Sequence, residues 1–304
     1  MISLRQHVSS LVAVFLALAV GIALGGGLLA DTDDDPADQS AAPSDSPGSS
    51  EAPTAGDLSY ADAFAAAGAA RLYANGLDGH ATVVLAMPGA DPAQVKSLTS
   101  QIIAAGGAIT GTFTAGEALV DVGQRTMIDT LGNQLATQLA DPRIDPAATT
   151  YDRMGELIGL AMSTNQVSSV RADTAAVTIR AALAESGVLT SPTDVRNAPL
   201  ILVVLPPGDE GAADSLATKT ILGGLANGLG SNAAGVVVAG DTDSADGGEL
   251  TALRGSELVG PVSSVDGIET PIGQVTTILA LMHVLLGTGG AYGASGADGA
   301  VPLA

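Results

Sequence analysis

Hydrophobic positions open this chain as one block and then break into shorter runs with strand and helix periods. From Val8 to Ala30 the sequence VSSLVAVFLALAVGIALGGGLLA carries no charge, and only Ser9 and Ser10 are polar. About 20 apolar residues suffice to cross a bilayer's hydrocarbon core as a helix, so residues 1–30 read as a short stub and a transmembrane anchor. Ala17-Leu18-Ala19 has the form of a signal-peptide cleavage site. Ten further, mostly apolar residues follow it, and the reading adopted is a retained anchor. Arg5 and His7 precede the block, and Asp31, Asp33, Asp34 and Asp35 follow it. The positive-inside tendency then places the N-terminus in the cytoplasm and the remainder outside. Within the block Ala13, Ala17, Gly21 and Gly25 fall on one helical face, a small-residue stripe of the kind along which two membrane helices pack.

Residues 31–57 hold eight acids, no bases, and Pro36, Pro43, Pro47 and Pro53. Such a segment buries too little apolar surface to offset its chain entropy and reads as a disordered, self-repelling tether. An Ala-rich helix is expected over residues 58–79, with Tyr60, Phe64, Leu72 and Tyr73 on a thin apolar stripe.

The pattern then changes to that of an α/β domain over residues 80–286. Ala81–Met87 is a continuous apolar, β-branched run closed by Pro88-Gly89, as expected of a strand buried on both faces. Asp91-Pro92 supplies an N-cap and a first-turn proline for a helix carrying Val95, Leu98, Ile102 and Ile103, and Ile109–Thr114 is the next strand. Strand, helix and strand at this spacing make a parallel β-α-β unit. Helical patterns follow at Gln124–Leu139, Tyr151–Met162 and Asp173–Glu185. The opening pattern then returns. Leu200–Leu205 is a strand closed by Pro206-Pro207-Gly208-Asp209, a helix follows with Leu216, Ile221, Leu222 and Leu225, and Val236–Asp241 is another strand. The runs starting at Val84 and Val203 align without a gap, 119 residues apart. The expected fold is therefore a parallel-sheet, Rossmann-like extracytoplasmic domain with two related β-α-β halves, preceded by one transmembrane helix. A helix at Ile272–Leu286 closes it, and six glycines in residues 287–304 suggest a loose tail.

Composition narrows the partners. A formal charge of −21 argues against nucleic acid and anionic lipid surfaces, both bound through Lys/Arg-rich faces. The absence of cysteine excludes disulfides and thiolate metal sites. Four Tyr, three Phe and no Trp leave an aliphatic core with little capacity for stacking on bases or sugars.

Recognisable chemistry is sparse. Gly228-Leu229-Gly230-Ser231-Asn232-Ala233 matches a dinucleotide fingerprint formally, but it ends a predicted helix where the phosphate-binding role requires a strand-to-helix turn. No P-loop, nucleophile elbow or zincin motif is present. Open parallel sheets bind ligands at the carboxyl ends of their strands, and those ends here carry Gly89, Asp91, Gly208, Asp209, Gly240, Asp241 and Asp243. They are the candidate site of a ligand-binding or enzymatic α/β domain, against the alternative that Gly and Asp simply make β-α turns and caps. Met282 and His283 are the candidate soft-metal residues, although neighbours on a helix point in different directions. The residues favour a non-enzymatic domain with no evident cofactor. Expected partners are the membrane and either a second copy or another membrane protein.

The N-terminal sequence MISLRQHVSSLVAVFLALAVGIALG, the stretch AGGAITGTF (Ala105–Phe113) and the ending VSSVDGIETPIGQVTTILALMHVLLGTGGAYG (Val262–Gly293) together resemble the mycobacterial copper transport protein B family. The resemblance implies an actinobacterial envelope protein with a large extracytoplasmic domain and a role in limiting intracellular copper, so that copper is the ligand it suggests. It places the protein in the plasma membrane as a single-pass protein or, by the family's own description, in the outer envelope membrane. Similar corynebacterial-type proteins imply a second role, with a membrane partner, in control of cell separation and of a peptidoglycan hydrolase. Those relatives carry a coiled coil outside the membrane, where this chain has its acidic, Pro-rich segment.

Overall fold

The computed structural model describes residues 55–208 and 211–302. The expected anchor with its stripe Ala13, Ala17, Gly21 and Gly25, nearly all of the expected tether, and Asp209 lie outside the described residues.

Among the described residues a seven-stranded sheet runs in the order β4-β2-β1-β6-β7-β8-β9. Its strands are β1 (Ala81–Ala86), β2 (Ala108–Ala115), β4 (Leu189–Thr190), β6 (Leu200–Val204), β7 (Gly235–Ala239), β8 (Val262–Val265) and β9 (Gly290–Tyr292). All neighbouring pairs are parallel except β2–β4. A separate antiparallel ribbon joins β3 (Val170–Arg171) to β5 (Arg196–Asn197). The expectation of a mixed α/β fold on a mostly parallel, Rossmann-like sheet is met. The central strands are continuous hydrophobic runs because helices cover both faces, and every residue of β6 and β7 is buried.

One face is covered by α3 (Arg125–Leu139), α4 (Thr150–Met162), α5 (Thr174–Glu185), α6 (Leu216–Ser231) and α8 (Glu249–Arg254), which pack on Val83, Leu85, Ile201, Val203, Val236 and Val238. The other face is covered by α1 (Ala55–Leu72), α2 (Pro92–Ala104) and α9 (Pro271–Val284), which pack on Val84, Leu202, Val204, Val237 and Val265. A short helix, α7 (Thr242–Ala245), follows β7.

The chain moves outward from β1 to β2 in one direction and from β6 through β8 in the other. The direction reverses between β1 and β6, which are adjacent and parallel. Crossovers of one hand must then put α2 and α6 on opposite faces, as observed. The β8-α9-β9 connection departs from this. It travels in the same direction as β6-α6-β7, yet α9 lies on the α2 face, so its hand is opposite to that of the other two. Right-handed crossovers are the strong rule, and the last connection is the exception.

α4 is the apolar heart of the first layer, with Met154 through Met162 all buried. It approaches α6 closely because both helices carry glycines four apart, Gly155/Gly159 and Gly224/Gly228. A Cβ at Gly228 would sit 2.1 Å from the carbonyl oxygen of Asp152, and one at Gly155 would sit 2.5 Å from that of Leu225. The first glycine of the formal dinucleotide fingerprint, Gly228, therefore serves helix packing.

Two expectations at the domain's borders are corrected. The Ala-rich helix runs over Ala55–Leu72, starting and stopping earlier than 58–79. Asn75, at φ 56°, turns the chain out of helical geometry and lets Tyr73 and Leu77 insert fully into the core. The helix buries Ala65 and Ala69, whereas Tyr60, Phe64 and Leu72 are exposed. The domain also continues past residue 286, because the glycine-rich end supplies strand β9 with Tyr292 buried.

Candidate functional site

The candidate site lies where a doubly wound sheet brings its β-α loops together, at the carboxyl ends of β1, β6, β7 and β8. Among the described residues singled out there, Gly89, Asp91, Gly208, Gly240 and Asp241 each have an identifiable structural task. Gly89, at φ 79°, turns the chain after Met87, and a Cβ on it would lie 3.3 Å from Pro206 Cβ, so the β1 and β6 loops touch. Asp91 caps α2 by accepting the backbone N–H of Ala93 at 2.8 Å. Asp241 caps α7 through the N–H of Ser244 at 2.7 Å, and the same oxygen accepts the N–H of Gly208 at 3.3 Å. It thereby ties the β6 loop to the β7 loop. Gly208 is pressed against the neighbouring backbone, where a Cβ would sit 2.3 Å from the carbonyl carbon of Asp243. Gly240 donates to Val265 and accepts from Ile268. Asp243 is exposed in the first turn of α7. The structure thus brings Gly208, Gly240, Asp241 and Asp243 into contact around one loop pair and leaves Asp91 at the head of α2.

The bracing continues along the sheet. Glu269, after β8, accepts from the N–H of Thr242 at 3.2 Å and from its hydroxyl. Asp266, at the end of β8 and 1% exposed, accepts from the N–H groups of Ala294 (2.6 Å) and Ser295 (3.1 Å), the Ser295 hydroxyl (2.7 Å) and Arg254 Nη1 (2.9 Å). Arg254 also donates to Ser264 and to the carbonyl of Tyr292. Burial pushes the Asp266 carboxyl up, but the bonds from Ser295 and Arg254 outweigh it and hold the group below the usual carboxylate value. Sequence reasoning missed this acid. The only local signal was an Asp closing the VSSV run, and its partners come from up to 29 residues away.

Beside the braced loops, at the point where strand order reverses, lies a cleft of about 180 Å³. Its wall is mostly apolar (Met87, Pro88, Val120, Leu205, Pro206, Ile221 and Leu222), with Thr218 and Glu249 as polar members. It is smaller than most small-molecule sites, which span roughly 300–1,000 Å³.

The soft-metal candidates do not converge. Met282 packs its thioether against the backbone of Gly76, where a Cβ would lie 2.4 Å from its sulfur. His283 Nε2 lies 3.0 Å from the Thr288 hydroxyl, and its ring meets Tyr292 edge-on at 5.8 Å. Among the described residues no group of three His, Asp or Glu side chains is placed to hold a metal ion, and no helix is long and apolar enough to cross a membrane.

A family model described as "Copper transport outer membrane protein, MctB" matches residues 1–302. The chain belongs to the MctB family. Its curated MctB relatives include the copper transporter MctB of Mycobacterium tuberculosis (strain ATCC 25618 / H37Rv), 29% identical over 328 residues, with 96% of each chain covered. The copper transporter MctB of Mycobacterium leprae (strain TN) is 30% identical over 323 residues, again with 96% of each covered. The resemblance noted at the two ends of the sequence therefore extends over the whole chain. Within the MctB fold, the ending Val262–Gly293 forms β8, α9 and β9, the connection of opposite hand.

Proposed function

We propose that this chain serves copper homeostasis at the cell envelope as a membrane-anchored, non-enzymatic scaffold that acts through protein contacts. The match to the MctB family over residues 1–302 carries the copper assignment. The scaffold part rests on the chemistry of the strand ends. Four carboxylates at the strand ends, Asp91, Asp241, Asp266 and Glu269, are engaged in capping helices and bracing loops. The described sheet is open, ending in β4 and β9, and a membrane-spanning structure must be a helix bundle or a closed barrel. A conduit for copper would then belong to a partner or to an assembly of anchors. We read residues 8–30 as that single-pass anchor, with the N-terminus cytoplasmic and the folded domain outside. The two β-α-β units, which flank the β1–β6 junction, are read as related halves of this domain.

The test is deletion of the gene, with cell copper and cell separation measured together and the intact membrane form used to capture partners. Raised copper, restored by the full chain and accompanied by a specific membrane partner, is the expected result. Unchanged copper with impaired separation would replace this reading with control of peptidoglycan hydrolysis.

A further inference from the structure

Basic side chains are scarce in this protein, 11 against 32 acids, yet three of them line one cleft away from the strand-end loops. The cleft, of about 620 Å³, is formed by Arg171, Arg180 and Arg196 with Asp194, Val177 and Val195. Arg171 and Arg196 are directly opposite each other in the antiparallel β3–β5 ribbon. Like charges at that position destabilise a strand pair. No carboxylate forms an ion pair with any of the three among the described residues, whose ion pairs are Arg143 with Asp141 and Asp173, and Arg254 with Asp266.

Arg180, on α5, is the fixed member. Its Nε donates to the carbonyl of Ala161 at 2.7 Å, Nη1 to that of Val195 at 3.0 Å and Nη2 to Asn197 Oδ1 at 2.8 Å. Its guanidinium also lies over the Phe113 ring, 5.4 Å from the centroid. Every one of these partners is neutral, and burial lowers its pKa. Two of the five guanidinium N–H donors remain uncommitted. Arg196 is steadied by donation to the Ser169 hydroxyl and carbonyl, while Arg171 is exposed. Three arginines against one aspartate leave a surplus of two positive charges at a site that a strongly acidic protein had no electrostatic need to create.

We propose that this cleft binds a doubly charged phosphate monoester. Two exposed guanidinium forks approach from the ribbon, and the preorganised Arg180 closes the site from α5. Arginine matches phosphate oxygens bidentately, the surplus charge matches a dianion, and the volume with Val177 and Val195 leaves space for a small organic group. The site is independent of the copper reading, because none of its residues borders the strand-end loops.

The test uses the full chain in micelles of a neutral detergent, titrated calorimetrically with glycerol phosphate and, separately, with micelles doped with phosphatidic acid. Saturable binding in either arm supports the proposal. A response to glycerol phosphate assigns a soluble ligand, and a response to the doped micelles alone assigns a lipid headgroup. Arg171→Gln and Arg196→Gln should each weaken binding roughly tenfold, the scale of one lost charge-assisted bond, and Arg171→Gln should melt no lower than the parent because it removes a like-charge opposition. Absence of saturable binding in both arms, or equal binding by parent and both variants, would overturn it.

Discussion

Asp266 and Glu156 are both carboxylates buried in this domain, and their surroundings drive them in opposite directions. Asp266 is held ionised by four donors and sits below the usual carboxylate value. Its contribution to stability is complete above the unfolded-state value, about 3.9, and is lost as pH falls through the depressed folded value. Asp266→Asn should cost about 3 kcal/mol at neutral pH, because it leaves Arg254 without its buried counter-charge. The variant should also lose that acid limb of the stability curve, as read from urea midpoints across pH. Glu156, on α4, is also buried, and desolvation raises its pKa, partly countered by the Asp145 N–H that it accepts at 3.0 Å. The folded state here prefers the protonated acid, so the Glu156 contribution is full below the usual value and is lost as pH rises through the raised one. Glu156→Gln should raise stability at neutral pH and flatten the curve within that window. What could be read from sequence at this scale followed the range of each interaction. Asp91 was legible as an N-cap because a cap reaches only two or three residues. Asp266 was not, because its partners arrive from distant segments.

At the scale of elements, α4 and α6 show how close packing replaces a polar function. Gly228 belongs to a sequence that reads formally as a nucleotide loop, yet it lies within α6 against the backbone of α4. Gly228→Ala should destabilise the domain by about 3 kcal/mol, the upper range for overpacking, with a lowered melting temperature as the readout. The strands β1, β6 and β7 were legible as uninterrupted β-branched runs. β8 was not, because Ser263 and Ser264 break its apolar pattern although all four residues are buried. β9 was hidden for a related reason. Its glycines suggested a loose end, while the grip of Arg254 and Asp266 on Tyr292 and Ser295 holds the segment in place. That grip also holds down the one crossover of opposite hand. Removing residues 287–304 should therefore unfold more than an edge strand, seen as lost exchange protection in β8 and α9 as well.

At the scale of the molecule, the chain combines a −21 charge, an α/β sheet that is open among the described residues, and a match to the MctB family from residue 1 to residue 302. Family membership was legible in the first and last stretches of the sequence, and the layered fold followed from the alternation of strands and helices. The function of the strand ends was not legible, since the same Gly and Asp residues serve a ligand site and a braced turn equally well. The proposed role is copper homeostasis through protein contacts, with no copper held by the folded domain itself. The direct measurement is a Cu(I) titration of the full-length chain in neutral detergent against a chromophoric chelator. The account predicts that the chelator keeps the copper at every ratio, with no stoichiometric retention by the protein. One copper ion held per chain, lost on substitution of Met282 and His283, would contradict it.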